Sequence, residues 1–158
     1  VYTFCGDGSF LMGHSELYTA LQEGLKINVC LFDNMGWGCI ENLQNNQGTD
    51  TFGTIFRARN PETGMLDGAE IDPDFAKIAD GYGAKSYTIR TSDELRAALE
   101  DAKKQDRAVL FDIKVLPKTM TPGFESWWRV GVAEVSKSKT VAEAYDDMQA
   151  HIKNTFDY

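Results

Sequence analysis

The alternation of short apolar runs with amphipathic helical segments constrains the fold of this chain more than any other feature. Residues 27–32 (INVCLF) form a nearly continuous apolar run, which is typical of a strand buried on both faces of a parallel sheet. Residues 108–115 have the same character, and residues 1–5 and 85–89 add two further predicted strands. Helical patterns separate these runs. We therefore predict an α/β fold of three layers, a largely parallel sheet with helices on both faces.

Helical spacing of apolar residues predicts the connecting helices. Residues 15–25 and 141–152 each carry an apolar stripe at the helical period. Thr91 and Glu94 form a capping box ahead of a third helix, because each side chain can satisfy a backbone N–H of the other. The sequence therefore predicts a strand–helix alternation that continues to the C-terminal helix.

A long polar segment interrupts this alternation. Residues 44–68 are rich in Asn, Gly and Thr, and we predict a loop excursion there with a short strand near residues 52–56. The pair Asp72 and Pro73 is typical of a helix start, so we predict that the next helix begins there. A loop of this length in a compact domain often carries function.

Composition excludes several classes of function. The net charge is −8, from 16 Lys+Arg against 24 Asp+Glu, so we expect no nucleic-acid partner. No apolar run approaches the roughly 20 residues of a membrane span, so we expect no membrane partner. Cys5, Cys30 and Cys39 have no CxxC spacing, and we expect reduced, mostly buried thiols in a cytoplasmic protein.

Two junctions that follow predicted strands carry the residues suited to chemistry. Residues 6–9 (GDGS) place one carboxylate between two glycines, which allow backbone to approach a ligand closely. Asp33 and Asn34 follow the next strand, and Asn34 lies 27 positions after Asp7. Carboxyl ends of parallel strands meet at one rim of a sheet. A carboxylate, an amide oxygen and a backbone carbonyl there would suit Mg²⁺.

This pair of junctions resembles the thiamine-diphosphate motif of the superfamily that includes pyruvate oxidase and acetolactate synthase. In that family the motif's Asp, its final Asn and a backbone carbonyl two residues later hold the metal. The resemblance therefore implies that Asp7, Asn34 and the Gly36 carbonyl bind Mg²⁺. It also implies that these three residues contact thiamine diphosphate together with Gly6, Gly8, Ser9 and Trp37. The family often has Asn at the position of Asp33, but that position is not the metal ligand.

Four longer stretches are similar to one branch of this superfamily: LFDNMGWGCIENLQ, TFGTIFRARN, DIKVLPKTMTPGFESWW and VGVAEVS. Enzymes of that branch hydrolyse trihydroxycyclohexane-1,2-dione to 5-deoxy-glucuronate in inositol catabolism. The resemblance implies a small cyclic diketone as substrate, with thiamine diphosphate and Mg²⁺ as cofactors. The cofactor would be the nucleophile and electron sink when the bond between adjacent ketones breaks. An acetolactate-synthase-like lyase or ligase and an inactive Mg²⁺-phosphate binding module remain as alternatives.

The domain organisation follows from the same resemblance. We expect residues 1–158 to be a fragment of the C-terminal diphosphate-binding domain, truncated on its N-terminal side, with residues 116–158 as a tail and helix. In the family, the glutamate that activates the cofactor belongs to a separate pyrimidine-binding domain, and no segment here matches it. We therefore expect missing N-terminal domains of the same polypeptide, a homo-oligomer, and no activity of this chain alone.

Three further residues have two open interpretations each. His14 is either a proton shuttle over the cofactor or a structural residue near the start of a helix. Trp127 and Trp128 either line the substrate pocket or anchor the C-terminal segment to the core.

Overall fold

A four-stranded parallel sheet forms the centre of the protein. The structure is a computed structural model, and it describes residues 1–117 and 131–155. The strands are β1 (Tyr2–Gly6), β2 (Asn28–Asp33), β3 (Lys85–Ile89) and β4 (Val109–Lys114). They lie in the order β1-β2-β4-β3, and every neighbouring pair is parallel. The predicted α/β class is therefore confirmed.

Six helices of the described residues accompany the sheet. They are α1 (Asp7–Gly13), α2 (Glu16–Gln22), α3 (Gly38–Asn46), α4 (Phe75–Tyr82), α5 (Ser92–Ala102) and α6 (Lys139–Ile152). The sequence pattern had indicated α2 but not α1, because the glycines at both ends of DGSFLMG disfavour a helix. Packing outweighs that weak propensity, since Phe10 of α1 is buried in the core.

Apolar clusters occupy both faces of the sheet, as predicted for three layers. On one face, α1, α2 and α4 pack on β2 and β4 through a cluster that includes Phe10, Leu17, Val29, Leu31, Phe75 and Leu110. On the other face, α5 packs on β3 and β4 through Ile89, Ala98, Ala102, Val109 and Phe111. Residues along β2 and β4 alternate between these clusters because successive side chains of a strand point to opposite faces.

Local details differ from the predictions at three places. Residues 52–56 form no strand, and their only ladder contact is an isolated bridge between Gly36 and Ile55. Helix α4 begins at Phe75, after Asp74, whose side chain accepts a hydrogen bond from the Lys77 N–H at 2.9 Å. The predicted start at Asp72 is therefore wrong by two residues. The capping box of Thr91 and Glu94 is confirmed.

The described surface has one apolar area on the sheet itself. Phe4 is 69% exposed and Phe32 is 40% exposed, and their rings stack with centroids 6.2 Å apart.

Cys39 is exposed, contrary to the expectation of a packed thiol, whereas Cys30 is buried. Among the described residues, none of the helices has the length and apolar character needed to cross a lipid bilayer.

Candidate metal centre

Parallel pairing of β1 with β2 brings the two predicted junctions together. Gly6, the last residue of β1, pairs in register with Phe32, one residue before the end of β2. Asp7 therefore begins α1 beside the loop that contains Asn34 and Gly36. Asp7 and Asn34, which are 27 positions apart in the chain, are brought to a single site by this pairing.

Asp7 is the centre of this site. Asp7 is only 1% exposed. Its carboxylate accepts three hydrogen bonds from backbone N–H groups. The N–H groups of Gly36 and Asn34 donate to Oδ2 at 2.9 and 3.1 Å, and that of Gly8 donates to Oδ1 at 2.8 Å. Burial raises the pKa of Asp7 to about 6, the Gly36 hydrogen bond opposes that rise, and the adjacent Asp33 adds to it.

The Asn34 amide completes a group of converging polar atoms. The amide atom that faces Asp7 lies 3.2 Å from Asp7 Oδ1 and 2.7 Å from the Gly36 carbonyl oxygen. If this atom is oxygen, three acceptors crowd together and repel one another unless a cation lies among them. If it is nitrogen, it donates to both oxygens. The amide orientation therefore depends on whether a cation is bound.

The spacing of these atoms fits a magnesium ion. Octahedral Mg²⁺ with ligands at 2.0–2.1 Å has neighbouring ligand oxygens about 3 Å apart, and it prefers carboxylate, amide and carbonyl oxygens. No group of three or more His, Cys, Asp or Glu side chains suited to a metal occurs in residues 1–117 and 131–155. A cation site in this part of the chain thus depends on neutral oxygens beside a single carboxylate.

Glycines keep the space around the site open. A Cβ on Gly38 would lie 2.6 Å from Asn34 Nδ2, and a Cβ on Gly36 would lie 2.3 Å from the Thr54 carbonyl oxygen. A Cβ on Gly8 would lie 2.5 Å from the Trp37 indole. Real side chains do not approach so closely, so each of these positions admits only glycine without a shift of its neighbours.

The loop that carries Asn34 and Gly36 has a strained residue at its centre. Met35 has a φ of 69°, a left-handed conformation that is costly for a residue with a side chain. The Asp33 carboxylate accepts the Met35 N–H through Oδ1 at 3.1 Å, and the Met35 carbonyl accepts the Phe56 N–H at 3.1 Å. These two hydrogen bonds hold Met35 in the conformation that turns the Gly36 carbonyl toward Asn34.

The other predicted site residues lie elsewhere or outside the described part. His14 follows α1, about 10 Å along the helix from Asp7 at 1.5 Å per residue. Its Nδ1 is 2.7 Å from the Tyr82 hydroxyl, and the two rings stack. This contact joins α1 to α4 and favours the structural interpretation. Trp127 and Trp128 lie outside the described residues.

A cleft of about 320 Å³ opens beside Asn34. Glu41 of α3 lines it and is only 1% exposed, and its Oε1 accepts a hydrogen bond from the Thr51 hydroxyl at 2.8 Å. Arg57 also lines the cleft, where it forms an ion pair with Glu70 at 3.1 Å. Glu41 was not predicted as a site residue, because one acidic residue in a short helix has no distinguishing pattern.

The sequence matches a known protein family over most of its length. The family described as thiamine pyrophosphate enzyme, C-terminal TPP binding domain, matches residues 1–113. Both Asp7 and the loop that contains Asn34 lie within this match.

Curated relatives are much longer than this chain. A "3D-(3,5/4)-trihydroxycyclohexane-1,2-dione hydrolase" of Geobacillus thermodenitrificans is 60% identical over 97% of this chain and 24% of the relative. The protein of the same name from Clostridium tetani is 54% identical over 100% of this chain and 24% of the relative. The chain thus spans about a quarter of the length of these relatives.

Solved structures share the fold at low sequence identity. A benzoylformate decarboxylase from Polynucleobacter necessarius has a TM-score of 0.60 and 24% identity, over 77% of this chain and 20% of that one. A thiamine diphosphate-dependent 4-hydroxybenzoylformate decarboxylase from Rhodococcus jostii RHA1 has a TM-score of 0.58 and 22% identity. That match covers 74% of this chain and 19% of the decarboxylase.

Proposed function

This chain belongs to the thiamine pyrophosphate enzyme family, and on that premise we propose that it is the Mg²⁺- and diphosphate-binding part of a trihydroxycyclohexane-1,2-dione hydrolase. The convergence of Asp7, Asn34 and the Gly36 carbonyl carries the metal-binding part of this proposal. The choice of hydrolase is supported by relatives 54–60% identical to the chain over at least 97% of its length.

The residues of the site have separate roles in this proposal. Asp7 supplies a charged ligand, and Asn34 and the Gly36 carbonyl supply neutral ligands, so the bound Mg²⁺ keeps positive charge for the diphosphate. The Asp7 carboxylate is prepositioned by three N–H donors, which reduces the cost of ordering it on binding. Gly6, Gly8, Ser9 and Trp37 are the further cofactor contacts that we propose, with Trp37 packed over Gly8.

Thiamine diphosphate supplies a nucleophilic carbon and an electron sink, which the proposed cleavage between two adjacent ketones requires. The chain's own contribution is to fix the diphosphate end, so that the reactive ring is held in one place. Water would release 5-deoxy-glucuronate from the opened ring.

The remaining parts of the enzyme belong to the longer polypeptide. We propose that N-terminal domains of the same polypeptide supply the glutamate that activates the cofactor, and that the protein assembles as a homo-oligomer. On this basis the chain alone is inactive. A cytoplasmic location is supported by Cys5, Cys30 and Cys39, which are all free thiols.

The metal-binding part is tested by calorimetry on the full-length polypeptide. Asp7→Ala should reduce the Mg²⁺-dependent binding of thiamine diphosphate more than the roughly 10–100-fold typical for loss of an outer hydrogen-bond partner, because a charged ligand is lost. Asp93→Ala is the matched control, since Asp93 is also an acid in the first turn of a helix but is exposed. Equal binding by both variants would exclude Asp7 as a ligand.

The choice of reaction is tested by product analysis. The full-length polypeptide should convert trihydroxycyclohexane-1,2-dione to 5-deoxy-glucuronate and leave pyruvate unchanged. Formation of acetolactate from pyruvate would instead support the acetolactate-synthase-like alternative. Cofactor binding without turnover of either substrate would support the inactive binding module.

A further inference from the structure

A buried ion pair lies directly behind the loop that carries two of the proposed metal ligands. Lys114, at the end of β4, contacts Asp33 Oδ2, and the two residues are 81 positions apart in the chain. The Asp33 side chain is 0% exposed and that of Lys114 is 16% exposed. Lys114 Nζ also lies 3.1 Å from Asp112 Oδ2 and 3.5 Å from Asp72 Oδ1.

Asp33 connects this ion pair to the metal site. One of its oxygens is held by Lys114, and the other accepts the N–H of Met35 at 3.1 Å. Met35 is the residue with the left-handed φ of 69°, and it lies between Asn34 and Gly36. The Asp33 carboxylate is therefore one of the groups that hold the loop of Asn34 and Gly36, together with Asp7 and the backbone of Phe56.

A buried carboxylate is stable in such a place only when its charge is compensated. Asp33 and Asp7 are adjacent carboxylates, and Lys114 is the cation that contacts Asp33 within the described residues. Without Lys114, the Asp33 carboxylate would be an uncompensated buried charge, and its hydrogen bond to the Met35 N–H would be weakened. The strained loop would then relax, and the Asn34 amide and Gly36 carbonyl would move away from Asp7.

We propose that Lys114 is a positioning residue of the metal site, which acts through Asp33 to hold the loop that presents Asn34 and Gly36. This inference rests on the proposed Mg²⁺ site. It assigns a role to a lysine that is far from the site in sequence and contacts none of the proposed ligands.

Two opposite effects on metal affinity separate this role from simple electrostatics. Lys114→Met removes a positive charge near the site, which by Coulomb attraction alone would strengthen Mg²⁺ binding. Loss of loop positioning would weaken it, by about tenfold or more, as is typical when an outer partner of a ligand is removed. The direction of the change therefore reports which effect is larger.

Asp112→Asn is the matched control. Asp112 is 1% exposed and shares Lys114 with Asp33, but it lies on β4 and not on the loop. Electrostatics alone would make this variant bind Mg²⁺ more weakly, because a negative charge is lost. The positioning role predicts that its Mg²⁺ affinity stays within about threefold of the unmodified protein, since the Asp33–Lys114 contact remains.

The experiment is a calorimetric titration of Mg²⁺ into the full-length polypeptide with thiamine diphosphate present. Lys114→Met should weaken binding, Lys114→Arg should restore most of it, and Asp33→Asn in the Lys114→Met background should also recover affinity. Circular dichroism melting of each variant identifies any that fails to fold. The rescue variants then decide the result, because an effect of Lys114 that does not pass through Asp33 would not be repaired by Asp33→Asn.

Two results would overturn the proposal: unchanged or tighter binding by Lys114→Met, or an Asp33→Asn/Lys114→Met double variant that binds no better than the single one. Failure of the proposed function gives a different result. In that case the unmodified polypeptide itself would bind no Mg²⁺ in the presence of thiamine diphosphate.

Discussion

At the residue scale, the candidate metal ligands were predicted from the sequence, but the arrangement of their atoms was not. Asp7 and Asn34 stand at predicted strand ends, and the motif spacing was enough to pair them. The Asn34 amide orientation is different, because it depends on Asp7 Oδ1 and the Gly36 carbonyl at 3.2 and 2.7 Å. These two distances depend on the backbone conformation of the loop that contains Asn34 and Gly36, and the sequence pattern predicts only that a turn is present there.

Gly38 provides a residue-scale test of the Asn34 ligand. Gly38→Ala adds a Cβ that would lie 2.6 Å from Asn34 Nδ2, so the amide must shift and Mg²⁺ affinity should fall by about tenfold. Helix α3 itself should not suffer, because Ala is better than Gly in a helix by roughly 0.5–1 kcal/mol. Calorimetry measures the affinity, and urea denaturation measures the stability.

Gly13→Ala is the control for this substitution. Gly13 is also a helical glycine, but a Cβ there would meet no atom within 4 Å. Its Mg²⁺ affinity should equal that of the unmodified protein. If Gly38→Ala also binds Mg²⁺ normally, the Asn34 side chain is not a ligand.

At the element scale, strands were predicted more accurately than helix ends. The strand Lys85–Ile89 has the predicted bounds, and each of its residues pairs with one residue of β4 from Val109 to Ile113. Helix α1 was missed and α4 begins later than predicted, because Phe10 and Phe75 bury their rings in the core. Tertiary packing therefore decided where weak helix signals became helices.

The carboxyl end of β4 gives a prediction of pH dependence. Burial raises the pKa of Asp112 from 3.8 to about 6, although Lys114 opposes the rise. Between pH 3.8 and about pH 6, the Asp112 carboxyl therefore binds more protons in the folded chain than in the unfolded chain. The free energy of unfolding falls as pH rises through this range. Asp112→Asn removes this loss, so it should stabilise the chain by about 1–3 kcal/mol at pH 7.5.

Urea denaturation at pH 7.5 and at pH 4 measures this effect. The stabilisation by Asp112→Asn should shrink toward zero at pH 4, where Asp112 is largely protonated in the folded chain. Asp93→Asn, which removes an exposed acid, controls for the general loss of negative charge. An equal gain at both pH values would show that Asp112 does not carry this cost.

At the scale of the whole molecule, the sheet leaves one aromatic area uncovered. Phe4 on β1 and Phe32 on β2 are 69% and 40% exposed, and β1 is an edge strand within the described residues. Exposed apolar edges promote association with other chains. We therefore expect this chain in isolation to self-associate as its concentration rises.

Phe4→Ser should reduce this self-association, as measured by sedimentation velocity over a concentration series. Met12→Ser is the control, because Met12 is 75% exposed on α1 and does not belong to the Phe4–Phe32 pair. Both variants should retain the thermal midpoint of the unmodified chain within a few degrees. Self-association of Phe4→Ser equal to that of the Met12→Ser control would show that another surface is responsible.

The sequence by itself determined the order of the four strands along the chain, the α/β class, and the two junctions that carry Asp7 and Asn34. These features are local, since apolar periodicity and motif spacing are written along the chain. Only the tertiary structure decided the convergence of polar atoms from Asp7, Asn34 and Gly36 and the contact of Lys114 with Asp33 across 81 positions. Such contacts arise because parallel pairing brings the carboxyl ends of strands that are far apart in the sequence to one rim of the sheet. Burial there makes an unpaired polar group costly, so each polar group needs a partner.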